Sequence, residues 1–275
     1  MSRAASFNAV RAKVAAMQTG GASARAVLPF GDDRLDRVFA AGGLPLGCWH
    51  EVAGEGVELE TAAAAAAFAA ALVRPLARRG VLVWVMRRGD LYAPGLAGLG
   101  LPADRLIQVE APGEAQVLAA LEDALGSAGV VAAIGEAGTV DLTAGRRLQL
   151  ACERRGATGF LIHRRPFGGR IDKGLAGKGA SPKTSADGAG SAAATRWRVA
   201  PAPSEPAPGS PGDVARGLGP PRWRVDLMRC RGGRPGGWIL EMSDGAYPLR
   251  VVAQLGDRQL EAPQPASQGA WRRAG

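Results

Sequence analysis

The residues whose spacing could do chemistry lie between Gly54 and Thr61, in the run GEGVELET. A loop that cradles phosphates reads G-x-x-x-x-G-K-[ST]. Its glycines let backbone N–H groups approach closely, its lysine neutralises the β- and γ-phosphates, and its hydroxyl meets Mg²⁺. Counting from Gly54, Leu59 stands at the second glycine and Glu60 at the lysine, while Thr61 keeps the hydroxyl. Leu59 adds bulk where closeness is needed. Glu60 would set a carboxylate beside a triphosphate, and at an effective dielectric of about 20 each such contact costs on the order of several kcal/mol. One hydroxyl is a weak Mg²⁺ ligand. Neither ATP nor any other cofactor is expected here, and no metal. His50 and His163 are the only histidines, each at the end of an apolar strand with no nucleophile near in sequence, so packing roles are expected. Cys48, Cys152 and Cys230 lie far apart without C-x-x-C spacing, which suits a reducing cytosol and neither disulfides nor zinc.

The elements that must position this loop follow a simple order. Trp49–Ala53 reads as a short apolar strand, and an alanine-rich helix beginning near Thr61 runs to about Arg79, kinked at Pro75 and ended by Gly80. Val81–Met86 is a continuous apolar run of the kind buried on both faces of a parallel sheet. A weak helix over Leu91–Leu99, a strand over Leu106–Val109 and a helix over Gly113–Leu125 come next. A strand over Val130–Ile134, a helix over Asp141–Arg155 and a strand over Gly159–His163 complete the alternation. Strand and helix alternating over this length predict an α/β fold with a mostly parallel central sheet and helices on both faces.

Beyond His163 the pattern breaks. Residues 164–195 are rich in Gly, Ala and Lys and predict a flexible basic loop. The repeat Arg196-Trp197-Arg198-Val199 and Arg222-Trp223-Arg224-Val225 predicts two paired strands across a disordered 201–221, with Trp197 and Trp223 packing cross-strand. With Ile239–Met242 and Pro248–Leu255, turned by Gly232–Gly237, these form a C-terminal antiparallel β extension over 196–255. The organisation is an N-terminal helical arm (1–27, with an amphipathic run Ser6–Met17), a core (28–163), the loop, the extension and a disordered tail (256–275).

Charge divides the chain. Residues 1–145 hold 12 Lys and Arg against 15 Asp and Glu, and residues 146–275 hold 22 against 10, so the whole surplus of +9 lies in the second part. Such asymmetry suits an anionic partner, nucleic acid before others. No secretory signal or spanning segment is evident. Thr61–Val73 is too short to cross a bilayer, so no membrane partner is expected.

The turn Gly42-Gly43-Leu44-Pro45-Leu46-Gly47, the strand after it and the loop glycine Gly54 together resemble the segment leading into the ATP loop of the RecA recombinase core, a likeness extending over roughly residues 28–255. Within that group the wording of Arg74–Val85 (RPLARRGVLVWV), of the RWRV repeat and of Asp226–Glu241 (DLMRCRGGRPGGWILE) is similar to the ImuA family of damage-inducible mutagenesis proteins. That resemblance implies a RecA-like core serving SOS-induced, error-prone translesion synthesis. The implied partners are an inactive Y-family polymerase homologue of the ImuB type, the RecA recombinase and, indirectly, an error-prone replicative-type polymerase. The implied location is cytoplasmic, at the nucleoid. A distant relation to the SulA division inhibitor leaves that role as an alternative, and an unorthodox RecA-type ATPase is another.

Set against the RecA pattern, the catalytic parts are missing. The strand that would end in the acidic catalyst ends in Met86-Arg87-Arg88, and an arginine cannot act as a base. The strand that would end in the metal-linked aspartate offers Glu136 one position late, and the γ-phosphate sensor is matched by His163 or Arg164. What the resemblance retains is the place of the second DNA-binding loop. There Arg164, Arg165, Arg170, Lys173, Lys178 and Lys183, with Phe167 for base stacking, are the expected contacts to single-stranded DNA.

Overall fold

The computed structural model describes residues 26–56, 58–138, 140–164, 192–205, 219–245 and 247–255, without the side chains at 58–61. Ser6–Met17, most of the basic loop and the tail lie outside these residues.

The strands are β1 (Val27–Leu28), β2 (Leu44–Pro45), β3 (Trp49–Gly54), β4 (Val81–Met86), β5 (Leu106–Glu110), β6 (Val130–Ala137), β7 (Thr158–His163), β8 (Thr195–Ala202), β9 (Arg222–Cys230), β10 (Gly236–Met242) and β11 (Leu249–Leu255). The α-helices are α1 (Asp33–Asp36), α2 (Glu58–Val73), α3 (Ala93–Gly98), α4 (Glu114–Gly126) and α5 (Leu142–Arg155). Nine strands form one sheet in the order β11-β10-β9-β8-β3-β7-β6-β4-β5. From β8 to β5 all neighbours are parallel, and from β8 to β11 all are antiparallel. The expected α/β class is therefore observed, with the antiparallel strands continuing the parallel sheet itself.

Helices cover both faces. The side chains of α2 and α3 share one apolar cluster with Leu82, Trp84, Ile134 and Phe160, and α4 and α5 share the other with Trp49, Val83, Val85 and Leu161. Odd and even positions of β4 thus serve opposite faces, as strand geometry requires. Small residues make the layers fit: a Cβ at Gly135 on β6 would come within 2.7 Å of Leu121 Cδ2 on α4. A Cβ at Gly43 would meet the carbonyl oxygen of Leu28 at 2.7 Å, so the β1–β2 pair depends on that glycine.

Several boundaries differ from expectation for local reasons. Helix α1 is a single turn, Asp33–Asp36, capped by Asp32, whose carboxylate accepts from Arg34 N–H. The alanine-rich helix turns 3₁₀ at Arg74–Arg79, with Pro75 in its first turn, where a missing N–H is tolerated. β6 runs on to Ala137, three residues beyond the apolar run, because each added residue pairs with β7. β8 includes Pro201 and Ala202, at the start of the stretch expected to be disordered. Val199 O, two residues earlier, accepts from Glu55 N–H on the β3 side. Pro201 therefore turns its missing donor toward the edge where β3 has already ended at Gly54.

Trp197 and Trp223 are not cross-strand partners. Trp197 stands opposite Leu227 and Trp223 opposite Pro201. Both rings are buried against Phe68 of α2, at centroid distances of 5.7 and 6.0 Å. The repeat therefore clamps a helix to the antiparallel strands, and neither tryptophan is a platform for bases.

Candidate functional site

In an open α/β sheet, ligands bind beyond the carboxyl ends of the strands, where neighbouring strands send their loops to opposite faces. Here that point lies between β4 and β6. The chain leaves β4 toward the face of α3 and leaves β6 toward the face of α5. A cavity of about 160 Å³ opens there, lined by residues that include Arg87, Arg88, Glu114, Glu136 and Arg164. Pockets for small molecules run to about 300–1,000 Å³, so this space is small by that measure.

The charged groups around the cavity are paired with one another. Glu136 is 3% exposed, and a buried carboxylate must be paired. Its Oε1 accepts from Trp84 Nε1–H at 2.8 Å, and its Oε2 lies 3.4 Å from Arg164 Nε. Arg164 also meets Asp90 at 2.5 Å. On the other side Glu114 Oε1 accepts from Gly138 N–H at 2.9 Å and from Arg87 Nη1 at 3.4 Å. Just beyond the end of β4 the chain places Arg87 and Arg88 on the cavity wall. Glu136 lies within β6, with its carboxylate committed to an indole and a guanidinium.

The loop after β3 is held in the same way. Glu55 forms an ion pair with Arg224 of β9, and its N–H donates to Val199 O at 2.9 Å. Gly56 adopts φ +91, the left-handed region that glycine enters freely. Leu59, Glu60 and Thr61 fall in the opening turns of α2, and Gly54 closes β3. Strand β3 thus passes into helix α2 with a carboxylate–guanidinium pair at their junction.

Further along the same edge, Glu51 of β3 is buried and held by Arg196 Nε at 2.5 Å. His163 Nε2 lies 3.7 Å from the same carboxylate, and its Nδ1 is 3.2 Å from Gly138 O. His163 thus joins the ends of β3 and β6 from its place on β7. His50 lies deeper. Its Nε2–H donates to Pro45 O at 3.0 Å, which leaves Nδ1 to accept from the Thr195 hydroxyl at 2.7 Å. Trp197 Nε1–H donates in turn to that hydroxyl at 2.7 Å. Burial holds the imidazole neutral and lowers its pKa to about 3. His50 is a satisfied core residue.

Of the residues expected to touch DNA, Arg164 alone falls among those described, and it is ion-paired as above. Arg165, Phe167, Arg170, Lys173, Lys178 and Lys183 lie outside. Sequence reasoning missed the pairings Glu51–Arg196, Glu136–Arg164 and Glu241–Arg222, the last at 2.5 Å. Alternation of charged and apolar residues in the RWRV repeat was the visible signal for the first and last of these. Among the described residues, no group of His, Cys, Asp and Glu is arranged to hold a metal, and no helix is long and apolar enough to cross a membrane.

No protein-family model matches the chain. Individual proteins do. Over 253 residues it is 54% identical to Protein ImuA of Caulobacter vibrioides strain NA1000, covering 90% of this chain and 98% of that protein. Protein ImuA of strain CB 15 of the same species matches to the same extent. Identity of that order, sustained along nearly the full length of both chains, leads to one conclusion: the chain belongs to the ImuA family.

Proposed function

We propose that this chain is a non-catalytic adapter in damage-inducible mutagenesis, the setting of the ImuA family, and that it uses a RecA-like core as a binding scaffold. The observation that carries this reading is the crevice between β4 and β6. Arginines follow β4, Glu136 is spent on Trp84 and Arg164, and the space is small. A phosphoryl-transfer site needs a placed base and a metal ligand, and these groups supply neither. The core then serves by what it binds. Its proposed partners are an inactive Y-family polymerase homologue of the ImuB type and the RecA recombinase, with an error-prone replicative-type polymerase reached through them. The basic segment 164–195 is the proposed contact to single-stranded DNA, through phosphates and so with affinity that falls as salt rises.

The test is co-purification of the full chain with the ImuB-type and recombinase proteins, with and without single-stranded DNA, at two salt concentrations. Capture of either protein is the expected result, and no complex under any condition overturns the adapter reading. Titration with a fluorescent nucleotide and Mg²⁺ addresses the rest: micromolar binding with phosphate release would make the chain an ATPase.

A further inference from the structure

Helix α5 has a face that the other described elements leave uncovered. Gly145, Leu148, Ala151 and Cys152 turn inward and are buried. Leu150 stands on the opposite side, 59% exposed, and Leu142, 54% exposed, opens the helix on the flank of the buried face. Leu150 has Arg146 four residues before it and Arg154 four residues after it, both exposed, so the three form one stripe with Leu142 at its start. Arg147, beside them, is engaged by Glu122 of α4 at 2.6 Å. Arg146 and Arg154 make no hydrogen bond or ion pair among the described residues. The stripe contrasts with the sheet edge, where Arg87, Arg164, Arg196, Arg222 and Arg224 each hold a carboxylate.

We propose that this stripe is a docking surface for an acidic amphipathic helix of another protein. Two leucines eight residues apart on a helix are separated by about 12 Å, a spacing that a second helix laid alongside meets with two apolar residues. The arginines between and beyond them supply the complementary charge that selects acidic flanks and orients the approach. Nucleic acid fits less well, because a phosphate backbone satisfies the guanidiniums and leaves both leucines in water. A second copy of this chain fits less well again: a two-fold antiparallel pairing that sets Leu142 against Leu150 brings two Arg146 guanidiniums face to face. The surface is independent of the crevice and of which protein supplies the helix.

The experiment places a photo-reactive benzoylphenylalanine at Leu150 in the full chain, cross-links after DNA damage, and identifies the attached peptide by mass spectrometry. The expected product is a peptide from one other protein, acidic and of helical apolar periodicity. Its yield falls by about tenfold or more in R146E/R154E, and by less in R146Q/R154Q. All these positions are exposed, and unchanged thermal melting of each variant shows that the fold is retained. Attachment to nucleic acid, to lipid, to this chain itself or to a peptide without acidic residues overturns the proposal. So does the absence of any product, or a yield indifferent to the charge reversals. A cross-link obtained while both proteins of the preceding section fail to co-purify would keep this surface and remove that choice of partners.

Discussion

The indole N–H of Trp84 donates to Glu136 across β4 and β6 at 2.8 Å, with the guanidinium of Arg164 on the other carboxylate oxygen. This contact fixes Glu136 as a structural group: its charge is set against a cation and its second oxygen against an indole, both below the sheet edge.

Removing that carboxylate is therefore a stability experiment. Glu136→Ala strands a buried indole N–H and takes one of two carboxylates from Arg164, which keeps Asp90, and is expected to destabilise by about 1–3 kcal/mol. Glu136→Gln keeps an acceptor for Trp84 and is expected to lose less. Urea denaturation of the three proteins gives the order; equal losses for Ala and Gln would show that the indole contact contributes nothing.

His50 predicts an acid weakness. In the unfolded chain an imidazole titrates near 6.5, whereas burial holds it neutral in the fold down to about 3. Between these values the unfolded state binds one more proton than the native state, so stability falls as pH falls, approaching about 1.4 kcal/mol per pH unit. It is fully present above 6.5. Chemical denaturation at pH 7 and pH 5 measures the slope, and His50→Phe should flatten it whatever it does to the absolute stability.

Phe68 is the residue both tryptophans lean on. Phe68→Ala should destabilise by about 3–5 kcal/mol and weaken the near-ultraviolet circular dichroism of Trp197 and Trp223 together. Loss of only one signal would show that the two rings are held separately.

Restoring the letters of the phosphate loop should not restore an enzyme. In Leu59→Gly with Glu60→Lys, no carboxylate stands at Arg87 or Arg88 and Glu136 stays engaged, so phosphate release is expected at background. Appreciable turnover would mean that another residue supplies the base.

The alternation of elements was legible from apolar runs because a buried parallel strand such as Val81–Met86 and an alanine-rich helix need no distant partner to be recognised. Their ends were less so. β6 outlasts its apolar run because β7 continues to pair with it, and that pairing depends on residues beyond the segment itself. The passage from strand to helix around Gly54–Thr61 was readable, since that order is a local pattern. The charge pairs were not, because Glu51 and Arg196 are 145 residues apart and meet only once β3 and β8 lie side by side. The Trp197–Trp223 expectation failed for the same reason. A repeat fixes which residues face inward, and the register that opposes Trp197 to Leu227 depends on an irregularity between Arg196 and Trp197.

The position of β3 has a consequence for how the molecule is made. It lies mid-sheet, yet its two neighbours, β7 and β8, are the fifth and sixth strands of the large sheet to leave the ribosome. Until Gly159 and Thr195 have been synthesised, Trp49–Gly54 has no strand on either side, and the sheet cannot close around it. Long-range parallel pairing of this kind folds slowly and exposes unpaired edges meanwhile. A nascent chain released before β8 would carry an open central edge, and premature termination should yield aggregates rather than a smaller working protein.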